Sequence, residues 1–170
     1  LGVTGGIAAY KVAQLASNLK SAGADVHVVM TRAAQEFVRP LTFQVLTGNR
    51  VYTDLFDRAT NWNVQHVELA KQSDLIVVAP ATANIIAKAA HGLADDLLST
   101  VLNAATCPVL FCPAMNKDMY ENRVTQRNLA MLRELGYHFV EPGRGMLACG
   151  VEGIGRLAEI EVIQERIENL

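Results

Sequence analysis

The sequence is poor in the features that mark several large protein classes, and each absence narrows the choice. It holds three cysteines, Cys107, Cys112 and Cys149, with no CxxC pair among them. An odd count is a poor disulfide framework, so a reducing compartment, the cytoplasm, is expected, and the spacing gives no reason to expect a metal. Basic and acidic residues nearly balance, 15 against 17 with a formal charge of -2. That removes any broad electrostatic reason to bind nucleic acid or an anionic membrane. The longest apolar region, "LIVVAPATANIIAKAA", is broken by Pro80, Asn84 and Lys88 well before it could span a bilayer. Neither a GxGxxG fingerprint nor the GK[ST] ending of a Walker loop occurs, and there is no internal repeat, low-complexity tract or interdomain linker.

What is present is apolar and periodic. The 170 residues are 51% hydrophobic and 19% charged, which fits one globular domain over 1–170 with a sizeable core. Its partners are expected to be small molecules or further copies of itself. Leu1 lies in what reads as a strand already under way, so the native N-terminus is expected upstream, and a targeting peptide there stays open. β-rich runs then alternate with helix-period segments. "LGV" closes a first strand, "DVHVVM" (25–30) is a second, "DLIVVA" (74–79) a third, "PVLFC" (108–112) another and "YHFV" (137–140) the last, with "RVYTDL" (50–55) a weaker edge candidate. Between them Val12, Leu15, Ala16 and Leu19 repeat at helical spacing up to Gly23. Leu129, Leu132 and Leu135 do the same up to Gly136, and Pro40 and Gly48 bracket a further helix. Continuous apolar strands separated by helices predict an α/β fold: a three-layer, Rossmann-like doubly wound sheet, mainly parallel, of about six strands. Two stretches, 57–63 and the glycine-rich 142–155, read as long loops, which in a compact domain signal function or mobility.

In such a sheet, ligands bind beyond the carboxyl ends of the strands. After the first strand comes "TGGIAAYK" (4–11), where Gly5 and Gly6 let the backbone approach a ligand and the helix start offers N–H groups to a phosphate. A tight strand-to-helix turn would need the same pair. The second strand ends in "MTR", without the acidic residue that holds a dinucleotide ribose, which favours a mononucleotide. In "PATAN" (80–84) Pro80 is expected to stop the third strand, Ala81 and Ala83 to leave room for a flat ring, and Thr82 and Asn84 to hydrogen-bond to it. Either polar residue could equally cap the helix that follows. The next strand ends in "PAMNKDMY" (113–120), where Met115 and Met119 bracket Asn116 just where a loop should turn polar. His27 reads as structural, His91 beside Gly92 as a helix-end cap, His138 as carrying no signal, and His66 as a polar residue opening a short helix. Cys107 and Cys112 read as small buried hydrophobes, and Cys149, between Ala148 and Gly150, as an accessible thiol.

Five of these segments together resemble the flavin-containing cysteine decarboxylases, and within them the phosphopantothenoylcysteine decarboxylases of coenzyme A synthesis. That family's PASANT-type motif stands here as "PATANI", with Thr82 in place of serine, and its PxMNxxMW motif as "PAMNKDMY", with Tyr120 in place of tryptophan. "GGIAAYK" (5–11), "HVELAKQSD" (66–74) and "GMLACG" (145–150) match as well, in the expected order along the whole chain. Both departures are conservative and bear on local packing.

The resemblance implies FMN, with its phosphate near Thr4, Gly5, Gly6 and Thr31, its ring near Thr82, Ala83, Asn84 and Ala114, and Ile7 and Ala8 completing the set. It implies that Asn116 holds the substrate carboxylate, helped by the backbone around Met119, with Met146, Leu147 and Ala148 also at the substrate. His66 becomes a catalytic base or thiolate stabiliser, and Cys149 a proton donor on a closing flap. The implied reaction is decarboxylation of 4′-phosphopantothenoylcysteine to 4′-phosphopantetheine through a thioaldehyde and an enethiol, with no nicotinamide. The implied assembly is a trimer, or a dodecamer of four trimers, with FMN between subunits. In many bacteria a ligase that makes the substrate follows this domain, whereas the sequence stops at Leu170. Other readings are a peptidyl-cysteine decarboxylase, a flavin prenyltransferase of the same architecture, and a non-catalytic flavin-binding regulatory subunit. "PAMN" and "ACG" argue against the prenyltransferase, and the presence of His66 and Cys149 against the regulatory subunit. Arg144, beside the flap, is a candidate for the substrate phosphate, although a solvated loop arginine would look the same.

Overall fold

A computed structural model of the chain describes residues 1–56, 65–146, 150 and 152–170. Leu147, Ala148, Cys149 and the 57–63 stretch lie outside the described residues. Six parallel strands form one sheet: β1 Gly2–Val3, β2 Val28–Met30, β3 Val51–Tyr52, β4 Ile76–Ala81, β5 Val109–Pro113 and β6 His138–Phe139, in the order β3-β2-β1-β4-β5-β6. The helices are α1 Ala9–Ser21, α2 Pro40–Thr47, α3 Gln65–Gln72, α4 Ala83–His91, α5 Leu97–Ala104, α6 Lys117–Glu121, α7 Arg123–Glu134 and α8 Ile160–Glu168, with a 3-10 turn over Arg32–Glu36. Strands β7 Gly143–Met146 and β8 Glu152–Arg156 pair antiparallel as a separate hairpin.

The strands are apolar along their length because both sheet faces are covered. Successive side chains point to opposite faces, so Val77 and Ala79 join the core layer of α1, α2 and α8, while Ile76 and Val78 join that of α3, α4, α5 and α7. Helix ends follow local chemistry. Pro40 opens α2, and Gly48, at φ 72°, closes it in the left-handed region. Asp96 caps α5 by accepting from the Ser99 N–H at 2.9 Å and also receives Lys88 Nζ at 2.6 Å.

The three-layer doubly wound architecture matches the sequence reading, and three details correct it. Pro80 does not stop the third strand: β4 runs on through it to Ala81. It interrupts the ladder instead, since proline has no N–H to give, and pairing with β5 steps from Val78–Phe111 to Ala81–Pro113. The glycine-rich 142–155 stretch is no plain loop, because most of it forms the β7–β8 hairpin. His91 does not itself cap α4: Gly92 turns the chain at φ 65°, and the imidazole bonds Asn128 Oδ1 on α7 at 3.1 Å. Among the described residues no helix is long and apolar enough to cross a membrane.

The hairpin is fastened to the end of β5. The Met115 N–H donates to the Gly155 carbonyl at 2.9 Å. Gly155 sits at φ +138°, and a Cβ there would run into the Met115 carbonyl oxygen. Only glycine allows both the conformation and the approach. Gly155→Ala should therefore leave the six-stranded sheet intact and cost about 1–3 kcal/mol of stability. The measurement is denaturant unfolding together with hydrogen exchange at the Met115 amide, whose protection should fall; unchanged protection would mean that the contact does not hold the hairpin.

Candidate functional site

The sheet changes direction between β1 and β4, and an open α/β sheet forms its crevice at that switch point. There Thr4 is 2% exposed. Its hydroxyl donates to the Pro80 carbonyl at 2.5 Å and accepts from the Thr82 N–H at 3.2 Å. One side chain thus ties the end of β1 to the turn after β4. On the far side of β4 the Ala114 N–H donates to the Ala81 carbonyl at 3.1 Å, which ties in the end of β5. Three consecutive strand ends are fixed to one another before any ligand is considered.

The β1–α1 turn is shaped by close approach. A Cβ on Gly5 would collide with the Ala33 methyl group of the 3-10 turn, so Gly5 is needed for packing. At Gly6 the nearest atoms to such a Cβ would be 3.7 and 3.8 Å away, on Pro80 and Thr82, so its missing side chain leaves space on the cavity side. No side chain caps α1 and no acidic residue lies in its first turn, which suits an anion there.

Asn116 opens α6. Its Oδ1 accepts from the Asp118 N–H at 2.8 Å, so the oxygen is engaged by the cap. α6 is held from behind: the Tyr120 hydroxyl donates to Glu141 at 2.9 Å, and Arg133 pairs with the same carboxylate at 2.5 Å. Burial, then the Glu141 carboxylate, pushes the phenol up to about 12, so Tyr120 remains a donor at neutral pH. The tyrosine that replaces the family's tryptophan is therefore hydrogen-bonded through the hydroxyl that tryptophan lacks.

These parts open into one cavity of about 720 Å³, within the usual range for small-molecule sites. Of the residues expected at the site, Gly5, Gly6, Ile7, Ala8, Thr82, Ala114, Asn116, Met119 and Met146 line it. Ile7, Tyr10, Met119 and Met146, all about half exposed, form its apolar rim. Thr82 also caps α4, accepting from the Ile85 N–H at 3.4 Å, the alternative considered for it.

Other expected residues stand elsewhere. Thr4 lies beneath the wall, its hydroxyl used by the two backbone bonds. Thr31 caps the 3-10 turn, accepting from the Ala34 N–H at 3.3 Å, and borders a smaller cavity of about 180 Å³ with Asp54 and Asp96. Ala83 and Asn84 form the first turn of α4 and are not in the lining; Asn84 is exposed. Arg144 is exposed on β7, also off the cavity. His66 opens α3, which packs against α5 on the other side of the sheet from α1. Cys149, Leu147 and Ala148 lie outside the described residues. Of the remaining cysteines, Cys112 is fully buried as expected, whereas Cys107 is only half-buried, at the margin of the core; burial pushes both thiols up, Cys112 the further. His27 pairs with Asp25 at 3.1 Å, and His138 Nδ1 lies 3.4 Å from Arg166. Met115, which the resemblance makes part of an apolar floor beside Asn116, also lines the cavity, and sequence reading missed Tyr10, Lys11, Gly155, Arg156 and Leu157 there. Helical spacing from Ile7 could have given Tyr10 and Lys11, whereas the β8 residues needed the hairpin to be seen first.

A model of the family described as Flavoprotein matches residues 1–170. The "Coenzyme A biosynthesis bifunctional protein CoaBC" of Bacillus subtilis (strain 168) is 51% identical over 166 residues, which are 98% of this chain and 41% of that protein. The chain thus spans about two fifths of that relative's length. The "Probable phosphopantothenoylcysteine decarboxylase" of Streptococcus mutans serotype c is 45% identical over 170 residues, 99% of this chain and 95% of its own. Among solved structures, "PPC decarboxylase mutant C175S complexed with pantothenoylaminoethenethiol" superposes with a TM-score of 0.89 at 32% identity, covering 99% of this chain and 94% of the other.

Replacing Thr4 by valine keeps the shape but leaves the Thr82 N–H and the Pro80 carbonyl without their buried partner, at about 1–3 kcal/mol. The strand ends should loosen together, so Thr4→Val should lose both thermal stability and bound ligand while Thr4→Ser keeps both. Equal melting temperatures for the two variants would remove Thr4 from this role.

Proposed function

Because the chain belongs to the flavoprotein family, we propose that it is an FMN-dependent carboxy-lyase, converting 4′-phosphopantothenoylcysteine to 4′-phosphopantetheine in coenzyme A synthesis. The observation that carries this reading is the single cavity into which both a turn suited to a phosphate and an amide suited to a carboxylate open. The residues present fit FMN: Gly6 leaves room where a Cβ would intrude, the α1 start can face the phosphate, and Thr82 and Ala114 border a space for the ring. The 45% identity to the Streptococcus mutans relative over 170 residues supports the pantothenoyl substrate. A phosphopantothenate–cysteine ligase, fused or associated, would supply that substrate.

When bound, FMN takes two electrons from the thiol end of the substrate, which makes the neighbouring carboxylate easy to lose, and afterwards returns them, so the net redox change is nil. The chain's residues position and enclose. Asn116 binds the carboxylate through a neutral NH2 donor. A lysine there would stabilise the charged ground state and oppose loss of CO2. Met119 and Met146 keep water from that end of the cavity, and drying it favours the product that has shed the charge. His66 serves as base or thiolate stabiliser, and Cys149 returns a proton to the carbon that has lost CO2. His66 stands on an element outside the lining, which supports an assembly in which a second copy brings its histidine to this cavity. A trimer or a dodecamer of four trimers, with FMN at the subunit boundary, meets that need. Mass spectrometry of the product formed from phosphopantothenoylcysteine, with an absorption spectrum for bound flavin, tests the whole reading; a flavin-loaded protein that releases no CO2 would overturn it.

The two proton-handling roles separate in partial reactions. Under anaerobic conditions Cys149→Ser should release about one CO2 per site and then stop with bleached flavin, because a hydroxyl is a far weaker acid than a thiol of pKa about 8.5. His66→Asn should fail before any bleaching. Normal turnover by the serine variant would move the donor elsewhere.

A site shared between copies makes a further demand. Asn116→Asp places a charge against the substrate carboxylate and should be inactive alone, as should His66→Asn. Coexpressed, the two should regain turnover, since some cavities then draw both wild-type residues from different copies. A flavin-saturated monomer on sedimentation, with no regain, would rule out the shared site.

A further inference from the structure

The large cavity is lined by two cations, Lys11 and Arg156, and by no carboxylate. They come from neighbouring elements: Lys11 from the first turn of α1, and Arg156 from the end of β8, where the chain passes through Leu157 and Ala158 into α8, in the same core layer as α1. Lys11 makes no ion pair among the described residues. Among the described residues Arg156 pairs with Glu159, at 3.6 Å with both side chains exposed, an i,i+3 pair that solvent screens. The guanidinium has its own slot: a Cβ on Gly145 would come within 2.7 Å of Nη1, so the missing side chain on β7 lets Arg156 lie across the hairpin. Two cations with one weak partner among the described residues, in a cavity whose other polar side chains are Tyr10, Thr82 and Asn116, leave a positive charge there that suits an anion. Lysine as a point charge beside arginine as a fork is a pairing suited to a phosphate monoester.

We propose that Lys11 and Arg156 together anchor a phosphate monoester of the ligand that occupies the cavity. The proposal rests on the function argued above, which offers two sources of that chemistry: the phosphate of FMN and the 4′-phosphate of the substrate. It also replaces Arg144, which is off the cavity, as the arginine to examine.

The experiment uses the holoenzyme and its Lys11→Gln, Arg156→Gln and Arg156→Lys variants. Each is assayed for kcat/KM on phosphopantothenoylcysteine against pantothenoylcysteine, and for affinity toward FMN against riboflavin. Loss of a charge-assisted contact should lower one of these two preferences by about 10- to 100-fold in each glutamine variant. Arg156→Lys, which keeps charge but loses the fork, should fall between. A fall in the substrate preference assigns the anchor to the substrate, and a fall in the flavin preference assigns it to FMN. Both preferences staying within about two-fold of wild type, or equal losses on phosphorylated and unphosphorylated ligands, would overturn the proposal. If the wild type decarboxylates neither substrate, the functional reading fails, while the flavin comparison still decides the anchor.

Discussion

The hydroxyl of Thr4 is the constraint on which the site depends. A doubly wound sheet has its crevice where chain connections part to opposite faces, and nothing in the sheet ladder alone fixes how the diverging ends stand beyond the last paired residue. Here one buried side chain bridges the Pro80 carbonyl and the Thr82 N–H, and the Ala114 N–H bonds the Ala81 carbonyl on the other side. The β1–α1 turn, the start of α4 and the approach to Asn116 are thereby set relative to one another by backbone-directed hydrogen bonds. Gly5, pressed against the 3-10 turn, adds the end of β2 to the same unit. A ligand that touches these turns meets a surface whose ordering has already been offset by folding, which is the physical meaning of a pre-organised site.

The hairpin extends that rigidity to the other wall. β8 pairs with β7 and not with the sheet, so its position depends on the docking of Gly155 on Met115 and of Gly153 over the Lys117 side chain. Asn116 lies between those two contacts, with its own oxygen held in the α6 cap. Met146, at the end of β7, is in this way linked through β8 to the turn that carries Asn116.

What could be read from the sequence follows the range of the interactions involved. The apolar strands and the helices ended by Gly23, Gly48 and Gly136 are set by local chemistry and burial, so periodicity and caps find them, although the second strand starts at Val28 and not at Asp25, and the edge strand ends at Tyr52 and not at Leu55. Turns at strand ends are also local, which is why Gly5, Gly6, Thr82 and Asn116 were legible as site residues. The β7–β8 hairpin was not, because its alternation is diluted by glycines whose role is to clear space for Arg156 and the Met115 carbonyl, contacts made by residues far away in sequence. Pro80 misled for a related reason: its missing N–H argues against a central strand, yet here the ladder shifts register around it and the neighbouring bonds to Thr4 and Ala114 hold the strand end. The use of Thr4 as a bridge, and not as a wall, depends on a partner 76 residues away.

On the proposed function, the charge pattern of the cavity answers what a decarboxylation would require. Binding energy spent on the departing carboxylate is lost when it leaves, so strong cationic contacts there would deepen the ground state and raise the barrier. A neutral amide with an apolar rim avoids this, but it gives up affinity for an anionic substrate. Affinity can be recovered at a group that does not change during the reaction, and a phosphate monoester is such a group: its charge is the same before and after CO2 departs. With Asn116 on the carboxylate and Lys11 and Arg156 on a phosphate, as proposed, the contacts that must let go would be distinct from those that must hold.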